Sequence, residues 1–460
     1  MTRLSTIDAG FLLTESQNSP KHIAGLQILR LPPRKRSAWL RDLVAGMREA
    51  KPGYPFNQRV DMSNPVQPEL TTDADLDIDY HVRHTVLPAP GNDRQLLDLV
   101  ARLHANLLDR DRPLWEFHLI EGLSDRRFAF YTKVHHALCD GITFGRWFMQ
   151  SGTADPAELD SPPIWQRDRT PPETEDGPGY TRLVREGIKV LGGGVQTAVG
   201  LSRLSARLLA RRLWEGDTRV ALPLSAPRTS LNIVPGAARS VGILEFPLQH
   251  IRAIAKAQDC TVNDVVMTLC DLAVSRYFTE HGDDTRDPLV AYMPVNLRAA
   301  GEATDGNLIS LLQVRLARDH VNPLDTLHQI SESVHSAREV FGGVSRPAIQ
   351  MYSLLVALIA QIEETFKLDA VLPPVTNLVI SNVPGPKERM YYRGAESLAI
   401  YPISALPPLT ALNVTACSYA GTLFFGLIAA RSSIPDISTL TRYMSEACDQ
   451  LAELAGVSRD

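Results

Sequence analysis

The sequence predicts an α/β (α+β) protein built as two domains, each a mixed sheet with helices. Three observations carry this. At 460 residues the chain is too long for one ordinary domain and suits two of roughly 200 residues each. A hydrophobic fraction of 44% with 22% charged residues is that of a globular protein with real cores, which excludes wholesale disorder. Strand-like and helical stretches interleave in both halves, without a strict βαβ rhythm, a glycine-rich nucleotide loop or a short internal repeat.

The elements follow in chain order. Gly25–Leu31 reads as a strand and Ser37–Arg48 as an amphipathic helix. Leu97–Asp109 places apolar residues at helical spacing, and Phe128–Val134 alternates as a strand that runs into His135. These make up a first domain over 1–150. Residues 151–178 hold six prolines among seven acidic side chains, a density that blocks helix and central strand and predicts a surface linker or disordered loop. A helical stretch follows at about 180–215, broken at Gly192–Gly194. Beyond the break Arg203, Arg207 and Arg211 recur at every fourth position, a basic face that suits either an anionic lipid surface or plain solvent. The second domain, 239–460, opens with a strand from Arg239 and a helix from His250. Its apolar run at 348–362 is short of the roughly 18–20 residues a membrane span needs and reads as a buried helix. Two strands around 411–429 and a helix from Asp436 close the chain.

A net charge of −5 gives no global reason to bind nucleic acid. Five scattered cysteines without a CxxC pair argue against a disulfide framework or zinc ribbon and suit a reducing compartment. The first residues lack a basic start followed by a sustained apolar stretch. The expectation is a cytoplasmic protein, associated peripherally with the inner face of a membrane or with lipid droplets.

The sharpest chemical feature is HHALCDG, from His135 to Gly141, at the end of a strand. Adjacent histidines on a strand point to opposite faces, so one of them faces a given cavity. Asp140 followed by Gly141 predicts a tight turn, with the carboxylate holding the loop through an arginine and the glycine permitting an unusual backbone angle. A histidine near neutral pKa is the natural base for a hydroxyl or thiol. A purely structural, hydrogen-bonded pair is an equally good reading of the spacing. A metal site is poor, because the pair splays and no HExxH or third ligand is near. A serine hydrolase is poor too, with no GxSxG in the chain, and Cys139 reads as a small core filler.

HHxxxDG resembles the active-site motif of the CoA-dependent acyltransferase superfamily. The opening LSTIDAGFLLTESQNSPKHIAGLQIL, Pro113-Leu114-Trp115, APRTSLN at 226–232 and TVNDVVM at 261–267 resemble the bacterial wax ester synthase/diacylglycerol acyltransferase family more narrowly. MPVNLR at 293–298, GNLIS at 306–310, SNVPGP at 381–386 and LNVTACSYAGTLFFG at 412–426 continue the resemblance in order over nearly the whole chain. The segment 151–178 matches none of these motifs.

The resemblance implies two chloramphenicol-acetyltransferase-like domains with an active-site tunnel at their interface. It makes His136 the catalytic base, His135 its supporting neighbour and Asp140 the residue that orients the loop beside Gly141. It implies a long-chain acyl-CoA as co-substrate, with no cofactor and no metal, and diacylglycerol or a fatty alcohol as acceptor. Arginine outnumbers lysine 39 to 8, the bias of a high-GC bacterial genome, and the reading leans to diacylglycerol. An acceptor of another kind, a carrier-protein donor or a non-catalytic lipid-binding relative are the alternatives.

Other residues have blander readings beside the functional ones. Thr261 and Asp264 stand at capping-box spacing, while Asn263 is a candidate to face the tunnel. Trp115, Pro384 and Gly385 are candidates for the tunnel wall, with core packing and a structural turn as the alternatives. Arg298 is a candidate partner for Asp140.

Overall fold

In a computed structural model of the chain, the described residues are 2–64, 68–166, 195–283, 287–296, 309–318 and 320–458. The first part supplies β1 (Thr2–Arg3), α1 (Thr6–Thr14), β2 (His22–Arg30), α2 (Ser37–Glu49), β3 (Gln58–Asp61) and β4 (Glu69–Thr72). It continues with α3 (Ile78–His81), β5 (Val82–Val86), α4 (Asp93–Ala105), β6 (Trp115–Leu123), β7 (Arg127–His135) and α5 (Gly141–Gln150). Then come α6 (Val195–Leu209), β8 (Arg239–Pro247), α7 (Leu248–Ala257), α8 (Val262–His281), β9 (Val290–Asn296) and β10 (Ile309–Arg315). The chain ends with α9 (Pro323–Phe341), α10 (Arg346–Thr365), β11 (Leu378–Pro384), β12 (Tyr391–Tyr392), β13 (Ala395–Ile403), β14 (Leu412–Tyr419), β15 (Thr422–Ala430) and α11 (Ile437–Leu454).

Two six-stranded mixed sheets organise these elements. The first runs β12-β13-β2-β7-β6-β5 and the second β10-β9-β11-β14-β15-β8. Parallel pairs, β5 with β6 and β11 with both β9 and β14, sit among antiparallel ones, which is why no βαβ rhythm shows in the sequence. A small sheet, β1-β4-β3, lies apart.

The halves are not separable along the chain. β13, from the second half by sequence, pairs with β2 and, with β12 beyond it, completes the first sheet, with Tyr401 opposite Leu26. Division at 150 and 239 therefore misses this crossover. At the seam, β13 and β15 approach so closely that a Cβ on Gly426 would lie 1.8 Å from the Pro402 carbonyl oxygen. Glycine is the residue that permits such a backbone contact. One face of the first sheet packs Ile23, Leu29, Phe117, Phe128 and Phe130 against Leu43 and Met47 of α2 and Trp147 of α5. The other face, with Ala24, Leu26 and Tyr131, joins α4 and the core of the second half in one continuous cluster.

Several sequence expectations need correction. The helix expected from Leu97 starts at Asp93, because Asn92 and Gln95 form a reciprocal capping box. The proline-rich segment runs over the surface at 154–160, as expected, but turns into the core at 161–165. Trp165 is fully buried, stacked on Trp115 at 5.3 Å, and its indole N–H donates to the Ala50 carbonyl. Two bulky apolar residues, Ile164 and Trp165, outweigh the surrounding prolines and pin the strap to the core. The remainder of that segment, 167–178, lies outside the described residues, as does Arg298. The run at 348–362 is a helix, but only one side of it is buried.

Candidate active site

β7 pairs with β2 so that His135 lies opposite His22, and the chain then leaves the sheet through a short turn into α5. The His136 amide donates to the Lys21 carbonyl at 2.8 Å and the Leu138 amide to the His135 carbonyl at 2.9 Å. Asp140 ends the turn as the N-cap of α5, its carboxylate accepting the Thr143 amide at 2.7 Å. An aspartate there satisfies an orphan helix amide and sits at the positive end of the helix dipole. Gly141 is the first helical residue. Its backbone is ordinary, contrary to the expected unusual angle, and a Cβ there would meet nothing within 4 Å.

The two histidines face different neighbours, as alternation requires. His135 is fully buried; its Nδ1 accepts the Ala137 amide at 3.1 Å, and its Nε2 lies 3.3 Å from the Glu15 carboxylate. An acceptor Nδ1 assigns the proton to Nε2, pointing at Glu15. The His136 ring stacks on Phe11, centroids 4.3 Å apart and planes at 20°. α1 and the residue just after it therefore hold both histidines, Phe11 on one and Glu15 on the other.

Glu15 also accepts the Lys21 amide at 3.0 Å and the Arg110 guanidinium at 3.1 Å. Burial raises its pKa, but His135, the Lys21 amide and Arg110 together outweigh this and hold it at about 2. Burial pushes the His136 imidazole down, and the Asp140 carboxylate pulls it partly back, to about 4. His136 is thus neutral at physiological pH. Lys21 is buried with its ammonium donating to Ser19 at 2.7 Å. Burial lowers it to about 8 against the pull of Glu364 and Glu15.

Because the Glu15 carboxyl is depressed when folded, its contribution to stability is present above about pH 4.5 and is lost as the pH falls towards about 2. Glu15→Gln is expected to cost about 2–4 kcal/mol at pH 7. Urea denaturation of both proteins between pH 7 and pH 3 checks this: the gap should narrow below about pH 4.5, and a gap that is constant with pH refutes the assignment.

Deeper in β6 and β7 lies a second buried charge cluster. The Lys133 ammonium donates to the Leu103 and Asn106 carbonyls, each at 3.0 Å, and lies 3.3 Å from Glu116. Glu116 also meets His118 and Arg83, each at 3.3 Å. On the same sheet, His22 Nε2 donates to the His104 carbonyl at 2.7 Å, and His104 Nδ1 lies 2.9 Å from the Tyr131 hydroxyl. A narrow cavity of about 30 Å³ lies between the opposite face of this sheet and α5, lined by Gln27, Thr132, Phe130, Phe148, Pro386 and Tyr392 among others. Among the described residues, no three His, Cys, Asp or Glu side chains converge on a metal-sized site.

The remaining described candidates have packing or hydrogen-bond partners of their own. Trp115 is a core residue, not a tunnel wall: it is fully buried, stacks on His81 and Trp165, and donates to the Phe56 carbonyl at 2.7 Å. Thr261 and Asp264 form the expected capping box of α8, and Asn263 donates to the Met293 sulfur at 2.9 Å. Pro384 ends a strand rather than belonging to a turn, and Gly385 follows it where a Cβ would lie 2.3 Å from the Ser418 carbonyl oxygen. Pro386, two residues past Pro384, does line the cavity. Arg207 donates to the Gly342 carbonyl at 2.8 Å and Arg211 to Glu339 at 2.9 Å. Arg207 of α6 and Arg211 just past its end tie this stretch to the end of α9; Arg203 and Arg207 are exposed and Arg211 is half-buried. Glu15, Phe11 and Lys21 were missed by sequence reasoning. The one available signal was their place in the quoted N-terminal motif.

Comparison with known proteins places this geometry in context. The catalytic-domain model of the wax ester synthase/diacylglycerol acyltransferases matches residues 4–266, and the C-terminal-domain model of the same group matches 305–452. A Mycobacterium tuberculosis (strain ATCC 25618 / H37Rv) protein named as a diacylglycerol O-acyltransferase is 35% identical over 99% of this chain and 100% of its own. Another from the same strain, named as the diacylglycerol O-acyltransferase tgs2, is 34% identical over 98% of each chain. The solved wax ester synthase/diacylglycerol acyltransferase from Marinobacter aquaeolei VT8 superposes with a TM-score of 0.75 at 31% identity, covering 99% of this chain and 100% of that one. The first condensation domain of the calcium-dependent antibiotic synthetase shares the fold at 16% identity, with a TM-score of 0.59 over 99% and 96% of the two chains.

Proposed function

This chain belongs to the wax ester synthase/diacylglycerol acyltransferase family and is an acyltransferase, and from that premise we propose that it moves a long-chain acyl group from acyl-CoA to the hydroxyl of a diacylglycerol. The products are triacylglycerol and free CoA. The observation that carries the reading is the neutral, Phe11-stacked His136 in the turn that Asp140 closes.

An alcohol is a weak nucleophile at neutral pH, and a thioester is an activated electrophile. The neutral imidazole of His136 accepts the acceptor's hydroxyl proton as its oxygen bonds to the thioester carbonyl carbon. The tetrahedral oxyanion collapses, the carbon–sulfur bond breaks, and the imidazolium returns the proton to the departing CoA sulfur. Asp140 favours that transient imidazolium through its charge. His135 and Glu15 position the strand end. The route uses no covalent acyl-enzyme and no cofactor beyond the acyl-CoA co-substrate.

A fatty alcohol acceptor, giving a wax ester, is the second reading, since the matching family and the Marinobacter enzyme are named for both activities. Both products being insoluble lipids, the reaction belongs at the cytoplasmic face of a membrane or at lipid droplets. Among the described residues no single helix is long and apolar enough to cross a membrane. The test is release of CoA thiol from palmitoyl-CoA with diolein or hexadecanol offered separately and the products resolved. Triacylglycerol formed faster than wax ester is expected; the reverse order makes the alcohol the acceptor, and no acceptor-dependent thiol overturns both.

A further inference from the structure

One face of α10 is apolar and open to water. From Pro347 to Ile362 the chain carries no charged residue. Leu355, Leu358 and Ile362, at spacings of three and four, fall on one line of the helix and are 40%, 50% and 41% exposed. Phe366 and Val371 carry the apolar surface past the helix end, 69% and 77% exposed. The opposite face is occupied: Tyr352, Val356 and Ala360 pack on Tyr292 of β9, Val379 of β11 and Leu204 of α6.

Charge is distributed to match. The acids of this helix turn away from the stripe, Glu363 being buried and Glu364 accepting the Leu409 amide at 2.9 Å. Cations gather at its end. Lys367 is exposed beside Phe366, and the exposed Arg228 donates to the Leu372 carbonyl, next to Val371, at 2.8 Å. Asp369 is the one acid in that turn. An apolar line rimmed by cations is what an anionic bilayer surface accepts. A line of this size left in water marks an interaction site.

We propose that the stripe of Leu355, Leu358, Ile362 and Phe366 is the surface by which the protein docks on an anionic phospholipid bilayer. The helix axis lies in the membrane plane, with the stripe among the acyl chains and Lys367 and Arg228 at the headgroups. The packed inner face keeps α10 from crossing. The inference rests on the lipid-acceptor reading above.

The test is co-sedimentation with phosphatidylcholine/phosphatidylglycerol vesicles of the wild type, the double variant Leu358→Glu/Ile362→Glu, and Lys367→Glu. Circular dichroism and melting temperature serve as fold controls, since exposed positions tolerate such changes. The double variant is expected to partition at least about tenfold more weakly, and Lys367→Glu to lose binding only where phosphatidylglycerol is present. Undiminished binding of the folded double variant overturns the stripe while leaving membrane association standing. A wild type that never sediments overturns membrane docking altogether. A wild-type dimer that the double variant converts to monomer overturns the lipid in favour of a second copy of the chain. Turnover of detergent-dispersed diolein by the wild type tests the acceptor reading separately.

Discussion

His136→Ala is expected to fold and to lose about 10²–10⁴-fold in kcat/KM for acyl transfer. The substitution removes a ring stacked on Phe11, a pair contribution of about 0.5–1.5 kcal/mol beyond the area it buries, and small beside the stability of a domain this size. The turn itself is held by backbone bonds to Lys21 and His135 and by the Asp140 cap, none of which the ring makes. The chemical step loses its proton acceptor, and the remaining rate comes from holding acyl-CoA and acceptor together. The pH profile gives an independent reading. With His136 held at about 4 by burial, the acid limb of wild-type kcat/KM should fall near pH 4, about two units below an ordinary histidine. Initial rates of thiol release, with circular dichroism at each pH, check both. A folded variant within threefold of wild type, or an acid limb near 6.5, would falsify His136 as the base.

What could be read before the structure divides along physical lines. Strands β7, β8, β14 and β15 and helices α2 and α11 were legible because each carries its own apolar period, and Thr261 with Asp264 announced α8 by a local capping motif. The histidine turn was legible because its residues are contiguous. The crossover of β13 was not: its alternating burial suits either sheet, and only tertiary pairing decides between them. Trp165 was hidden by the prolines around it. Glu15 was hidden for a related reason. Nothing local distinguishes a solvated glutamate after a helix from one folded against a histidine 120 positions later. The basic repeat of Arg203, Arg207 and Arg211 left two readings open: Arg207 donates to the Gly342 carbonyl and Arg211 pairs with Glu339 at the end of α9, while the lipid-facing surface proposed above is the uncharged one on α10.

Glu116→Leu is expected to cost about 3–5 kcal/mol, the largest stability loss of any single change considered. Lys133 is fully buried, and its ammonium has Glu116 as its counter-charge, with two carbonyls at the end of α4 completing its bonds. Burial raises the Glu116 carboxyl, but His118, Lys133 and Arg83 together bring it to about 2. Its stabilisation is thus present above about pH 4.5 and fades as the pH falls towards about 2. Removing the carboxylate leaves the lysine charge uncompensated in a low-dielectric interior, whereas removing both charges leaves none. The double variant Glu116→Leu/Lys133→Met should therefore recover most of the loss, though Arg83 and His118 forfeit a partner. Urea midpoints for the two single variants and the double close the cycle. Additive losses would show that the pair is not coupled. The same strand carries Lys133 and, two residues on, His135. A protein weakened at Glu116 should therefore also lose kcat as the histidine turn loosens, while the recovered double variant regains it.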